Sequence, residues 1–307
     1  MEIISAIIAH EALIKRIINV QAYCPEHNYY CYLYNTEHAD KNYLFKFSED
    51  EGILARHDEK AKEWYIFVGI LAREENRISY LLQFLDYIFT HGAKKVFVEF
   101  DTAFRKLVLK TFKINPVYRA VRINYTLTWP VFDMQQWDGV GMQGKDWKDM
   151  RYYWNKYFRD YKVEFKTAAE CDKEEMKKVV LEWTKQRTTG DETHNEYFLK
   201  AVDGEFMGFD HTRIMVVNNK IVAITAGFKM PNKNYYYSSI GLYTREFDRT
   251  GEVANMDDLL FLKKQGYDFV DFGGGEKTLT EFKKKFKPSY YYKTHVFSIV
   301  PNIKKSG

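Results

Sequence analysis

LLQFLDYIFTHGAKKVFVEFDTAFRKLVLKTFKINPVYRAVRINYTL, Leu81 to Leu127, can be laid beside MDDLLFLKKQGYDFVDFGGGEKTLTEFKKKFKPSYYYKTHVFSIV, Met256 to Val300. Gly92 falls opposite Gly266, Val98-Glu99-Phe100 opposite Val270-Asp271-Phe272, and Phe112 opposite Phe286 after one small gap. Each stretch opens with an amphipathic run that ends at a glycine. An alternating run follows, then a second amphipathic run and a closing strand. A period of roughly 170 residues is too long for a solenoid and fits two copies of one domain.

Upstream of the first copy, YLFKF and EWYIFVGIL read as strands and Glu75 to Thr90 as a helix, so the order is β-β-α-β-α-β, a mixed α/β layer. The second half repeats the plan. After the connection WDGVGMQG it has a helix from Lys145 to Tyr161, a strand VEFKTA, helices DKEEMKKVVLEWTKQR and NEYFLKAV, and strands RIMVVNN, KIVAITAGF and YYYSSIGLY, with Asn218-Asn219 as a hairpin turn. A boundary near Val140 gives an N-terminal domain over 1–140 and a C-terminal domain over 141–307.

Composition bounds the function. Apolar residues make up 46% and charged residues 29%, and 46 basic side chains face 42 acidic ones, a net +4. A protein that coats nucleic acid carries a larger excess, so any anionic partner is met by a local patch. Cys24, Cys31 and Cys171 cannot all pair, which suits reduced thiols in a cytoplasmic protein. The start MEIISAIIAHEALIKRI reads as an amphipathic helix, because Glu2, His10 and Glu11 interrupt the apolar run a signal peptide needs. No stretch reaches the ~18 apolar residues of a spanning helix.

The same order of elements, downstream of an antiparallel meander, looks like the GNAT acyltransferase fold, here twice. GKDWKDMRYYWNKYFRDYKVEF, Gly144 to Phe165, resembles the Gly-Lys…Arg…Asn-Lys stretch that opens the second GNAT unit in the C-terminal domain of phosphatidylglycerol lysyltransferases. FGGGEKTLTEFKKKF is similar to that family's glycine-then-Phe-Lys-Lys-Phe corner and to the matching corner of Fem-type aminoacyltransferases. The resemblance implies transfer of an aminoacyl group from aminoacyl-tRNA to an amine or hydroxyl acceptor, with no cofactor required, and admits peripheral contact with anionic lipid. The alternatives are an acyl-CoA-dependent N-acetyltransferase and a non-catalytic binding protein on a GNAT scaffold. Simple GNAT enzymes hold the acyl-CoA pyrophosphate on an Arg/Gln-x-x-Gly-x-Gly/Ala turn, whereas REFDRTGEVANM has one glycine, Gly251.

GGGEKT is not a nucleotide P-loop, since Glu276 separates Gly275 from Lys277. Gly273, Gly274 and Gly275 allow close backbone approach, and the helix that follows offers free N–H groups to an anion or oxyanion. They serve equally as a plain corner capped by Glu276 or Thr278. At about 100° per residue, Leu279, Phe282 and Phe286 form an apolar stripe, Lys283 lies nearest it, and Lys277, Glu281 and Lys284 turn to water. Lys283 is thus either a snorkelling stem or a cation aimed at reacting oxygen. Lys284, Lys285 and Lys287 read as a solvated face or a loose contact to tRNA phosphates.

Strand alternation sends Asp271 away from Val270 and Phe272, so Asp271 or Glu276 is the candidate to orient the acceptor or take its proton. On the Gly144 helix, Lys148, Arg151, Asn155 and Arg159 share one flank as candidate phosphate contacts, Arg151 nearest the apolar stripe, while Lys145 and Lys156 face outward. CPEHNYYC, with His27 and His38 nearby, lacks zinc-site spacing, so no metal is expected.

Overall fold

A computed structural model describes residues 1–5, 7–36, 41–186 and 195–302; His38 and Arg187 lie outside the described residues. The chain forms two compact units: Met1–Trp129 with Gly274–Lys277 and Tyr292–Gly307, and Pro130–Gly273 with Thr278–Tyr291. Val140, where the sequence suggests a boundary, lies inside the second unit.

The first unit begins with β1 (Glu2–Ile4), α1 (Glu11–Gln21) and α2 (Tyr29–Asn35), followed by β2 (Asn42–Lys46), β3 (Gly52–Asp58) and β4 (Glu63–Ile66). These four strands form an antiparallel meander. Next come α3 (Glu74–Thr90), β5 (Lys95–Asp101), α4 (Thr102–Ile114), β6 (Tyr118–Ala120) and β7 (Tyr125–Asp133). β5 runs parallel to β4. Val96, Val98 and Phe100 of β5 pack with Leu81, Phe84, Leu85 and Ile88 of α3, the period-two and period-3.6 faces expected of the pattern.

Two local expectations change. Glu2–Ile4 pairs with β2 as a strand instead of opening a helix. β3 is an additional strand, hidden in the sequence because Ile53, Leu54 and Ala55 are all buried and show no alternation.

The second unit has α5 (Lys148–Asp160), β8 (Val163–Lys166), α6 (Lys173–Lys185), α7 (Glu196–Asp203), β9 (His211–Val217), β10 (Lys220–Lys229) and β11 (Tyr235–Tyr243). The meander β8-β9-β10-β11 is again antiparallel, and Asn218 and Asn219 make its hairpin with positive φ. α8 (Thr250–Lys264) leads to β12 (Phe269–Asp271), parallel to β11; α9 (Lys277–Lys284) and β13 (Tyr290–Pro301) close the chain. Gly92 and Gly266 both take left-handed φ after α3 and α8, as the alignment of the two stretches suggests.

The closing strands are exchanged. β12 pairs with Val131–Asp133 of β7, and β5 pairs with Thr294–Ile299 of β13. Each unit is therefore completed by a segment from the other half of the sequence.

Candidate active site

In the second unit the register Tyr235↔Phe269, Tyr236↔Val270, Tyr237↔Asp271 ends with β12, while β11 continues to Tyr243 with β10 on its other side. The β10–β11 register shifts between Ala226 and Gly227, so Ser239 has no opposite residue. A bulge of this kind bends and twists its strand. Gly227 is required there, since a β-carbon would lie 2.0 Å from the Tyr237 carbonyl oxygen. Beyond Tyr237, β11 parts from β12 and presents a main-chain edge with no strand partner on that side among the described residues.

Asp271 stands at the point of parting and is fully buried. Its Oδ1 accepts the Gly273 N–H at 2.7 Å and its Oδ2 accepts the Tyr235 hydroxyl at 3.3 Å. Burial, then the Asp271 charge, pushes the Tyr235 phenol far above its ordinary pKa, so it remains a donor. Gly273 has φ +75°, and a β-carbon on it would come within 3.3 Å of the Tyr237 ring.

Lys283 faces inward, as the helical projection suggests: Thr280 and Lys283 are the buried positions of α9, followed by Phe286. Its ammonium donates to the Phe272 carbonyl and, at 2.9 Å, to the Gly273 carbonyl. Asp271, Gly273 and Lys283 thus come together as one corner. Lys284 is exposed and paired with Glu281 at 2.5 Å.

The remaining candidate residues make other contacts or are exposed. Gly274 and Gly275 pack within the first unit: a β-carbon on Gly274 would meet Trp129 at 2.6 Å, and Gly275 exchanges backbone hydrogen bonds with Thr128. Glu276 is exposed. Along α5, Lys148, Asn155 and Arg159 are exposed, and Arg159 pairs with Asp160 at 2.9 Å. Arg151 donates to the carbonyls of Met142 and, at 3.2 Å, Gly144, which secures the turn into α5.

Two carboxylates escaped the sequence reading. Asp258 on α8 is buried and accepts Thr225 Oγ1 at 3.0 Å and Ser238 Oγ at 2.9 Å, so it braces the strands beside the bulge. Burial raises its pKa to about 6. The available signal is two hydroxyls in otherwise apolar strands and an acid among the leucines of MDDLL. Glu252, in the first turn of α8, is nearly buried; burial pushes its carboxyl up, but Lys285 at 2.9 Å and Arg249 at 3.1 Å hold it below its ordinary value. It fills the helix N-terminus that an anionic ligand would otherwise use.

The first unit has the same parting, between β4 and β5 after Tyr65↔Phe97, but its own chain occupies it. The Tyr23 hydroxyl accepts the Ile70 N–H at 3.0 Å, and His27 Nε2 donates to the Val68 carbonyl at 2.5 Å. Burial lowers the His27 pKa to about 4, so the ring is neutral; its Nδ1 accepts the Tyr23 N–H at 3.2 Å. Cys24 and His27 therefore belong to a packed segment, and the described residues hold no cluster of metal-ligating side chains.

Two α/β units, each a meander leading through a helix to a parallel strand that parts from its neighbour, make this a tandem GNAT-like protein. The chain is similar in structure to a tandem GNAT protein of the clavulanic acid biosynthesis pathway (TM-score 0.59, 8% identity, 98% of each chain covered). It is also similar to the C-terminal domain of a putative lysylphosphatidylglycerol synthetase from Agrobacterium fabrum (TM-score 0.65, 14% identity, 95% of this chain and 91% of that chain covered) and to FemX (0.55, 10%, 96% and 97%). At these identities the likeness shows the fold. The family model "Phosphatidylglycerol lysyltransferase, C-terminal" matches residues 30–296, and the chain belongs to that family. No curated protein matches it in sequence.

Proposed function

We propose that the second unit transfers an aminoacyl group from aminoacyl-tRNA to an amine or hydroxyl acceptor at the cleft where β11 leaves β12. The observation that carries this reading is the corner itself: an open strand edge ending beside a buried carboxylate, a left-handed glycine and a buried ammonium. The acceptor nitrogen or oxygen attacks the ester carbonyl of the donor. The bond to the tRNA ribose oxygen breaks, and the acceptor's proton ends on that oxygen. Both Asp271 oxygens accept hydrogen bonds within the corner, so its part is positioning. Lys283 fixes two corner carbonyls and adds positive field where the tetrahedral oxyanion forms.

Glu252 favours this donor over acyl-CoA, because a pyrophosphate at the start of α8 would meet a carboxylate. The family's name makes phosphatidylglycerol, which carries glycerol hydroxyls, the first acceptor to try, ahead of small molecules or peptides. No helix among the described residues is long and apolar enough to cross a membrane. A tRNA donor places the reaction in the cytoplasm.

The test is filter binding of charged tRNA and transfer of radiolabelled amino acid to phosphatidylglycerol or an amine, beside thermal-shift titration with CoA and acetyl-CoA. Transfer that falls in Asp271→Asn and Lys283→Met supports the reading. Stabilisation by acetyl-CoA without binding of charged tRNA establishes the acetyltransferase instead, and no transfer or donor binding leaves a binding protein.

A further inference from the structure

The segment Thr102 to Asn124, TAFRKLVLKTFKINPVYRAVRIN, holds Arg105, Lys106, Lys110, Lys113, Arg119 and Arg122 and not one aspartate or glutamate, in a chain whose charges otherwise almost balance. It covers α4 and the turn after it, all within the first unit. Val108 and Phe112 bury the inner face of α4. Lys106, Lys110 and Lys113 recur at four- and three-residue spacing on the exposed side, and Leu107 and Ile114, seven apart, form the adjacent stripe. Leu107 is 40% exposed, Ile114 76% and Val117 50%, so this short segment presents bare aliphatics beside its lysines.

Pairing separates the lysines of this surface from those of α6. On α6, Lys177, Lys178 and Lys185 all have carboxylate partners. Among the described residues, Lys106, Lys110 and Lys113 have none. Unpaired ammonium groups beside bare aliphatics are left where a partner supplies both negative charge and an apolar phase. A bilayer of anionic lipid supplies both, while a nucleic-acid backbone supplies only the charge.

We propose that the outer face of α4, with the Ile114–Val117 turn, is a docking surface for an anionic lipid bilayer. Lys106, Lys110 and Lys113 sit over the head groups, and Leu107, Ile114 and Val117 enter the head-group and acyl boundary. The proposal does not depend on the transfer chemistry.

Cosedimentation of the full chain with vesicles tests it, using phosphatidylcholine alone, phosphatidylcholine with phosphatidylglycerol, and phosphatidylcholine with phosphatidylserine. Pelleting with both anionic mixtures and not with phosphatidylcholine, weakening as salt is raised, is expected. The triple variant K106Q/K110Q/K113Q should weaken partition on the order of 100-fold, and Lys110→Gln alone about 5-fold. Leu107→Ser with Ile114→Ser should weaken it by roughly 10-fold at constant charge. Melting temperature checks that the variants fold, and the single Lys110→Gln variant keeps the test decisive if the triple does not. Binding to neither anionic mixture, binding confined to phosphatidylglycerol, or partition unchanged in the lysine variants overturns the proposal. Loss of tRNA binding in the triple variant with vesicle partition intact would overturn it in favour of RNA.

Discussion

The two partings of parallel strands have the same topology and opposite contents. Between β4 and β5 the freed main chain is met by Tyr23 and a neutral His27, and the space is closed by the protein's own segment. Between β11 and β12 the space is bordered by Asp271 and Lys283, held within one corner. Glu99, the counterpart of Asp271, is pushed up by burial and accepts the Thr294 hydroxyl; two residues on, Asp101 caps α4 through the N–H groups of Ala103 and Phe104 at 2.7 and 2.8 Å. The first corner continues directly into a helix. In the second, a left-handed glycine turns the chain aside, and the proposed transfer rests on that difference.

The largest expected effect comes from breaking the second corner. Lys283→Met leaves the Phe272 and Gly273 carbonyls without their ammonium donor and should reduce aminoacyl transfer at least ~100-fold, with a stability loss of about 2–4 kcal/mol. Glu99→Gln, at the matching place in the first unit, should leave kcat/KM within about threefold of wild type. Equal losses in the two variants, measured by transfer of labelled amino acid and by urea unfolding, would remove the functional distinction between the units.

A second contrast concerns acid. Glu51 is buried against the start of α3: burial pushes its carboxyl up, but Arg73 N–H at 3.0 Å, Tyr80 at 2.7 Å, Arg73 Nε at 3.1 Å and Asn76 at 3.1 Å bring it down to about 2. A lowered folded-state pKa contributes stability that is present above the ordinary carboxylate range and lost as pH falls towards 2. After allowance for the solvent on Arg73, this is about 2 kcal/mol. Asp258 has the reverse sign. Raised to about 6, it favours folding when protonated, and that advantage is lost as pH rises through 6. Hydrogen exchange should therefore show α3 loosening below pH 4 in a manner abolished by Glu51→Gln. α8 should loosen between pH 4 and 6 and be insensitive in Asp258→Asn. The same slope in both helices would contradict these assignments.

Much of the scaffold is legible in the residues, and the reasons are physical. Gly92 and Gly266 terminate helices because only glycine enters left-handed φ freely, and Asn218-Asn219 fits a hairpin for a related reason. Lys283 could be placed on the inner side because helical spacing fixes direction. Exchange of β7 and β13 could not be read, since both are ordinary alternating strands and pairing choice is a long-range property. Arg151 shares a flank with Lys148, yet its partners are carbonyls of the preceding turn, which a wheel projection does not contain. The three consecutive glycines divide between the units for a similar reason: Gly273 serves a dihedral angle, whereas Gly274 serves contact with Trp129, distant in sequence.

Gly273→Ala must hold an L-residue at φ +75° beside the Tyr237 ring, a cost of about 1–3 kcal/mol. Gly273→Asn, which tolerates left-handed φ better, should recover part of that stability without restoring transfer, if the cleft needs a bare backbone. Full recovery of transfer by asparagine would reduce Gly273 to a turn residue.

The smallest effect belongs to the closed parting. Tyr23→Phe removes the acceptor of the Ile70 N–H but keeps the ring under the Arg77 guanidinium, 3.7 Å from its centroid. The expected loss is about 1 kcal/mol, the usual consequence of one unpaired buried amide. Transfer should be unaffected, because the proposed chemistry lies at the second parting. A gain of tRNA or lipid binding in this variant, read by filter binding and cosedimentation, would show that Tyr23 holds shut a working site and that the two partings differ only in occupancy. Unchanged binding leaves the difference where the side chains put it, in Asp271, Gly273 and Lys283 on one side and a neutral plug on the other.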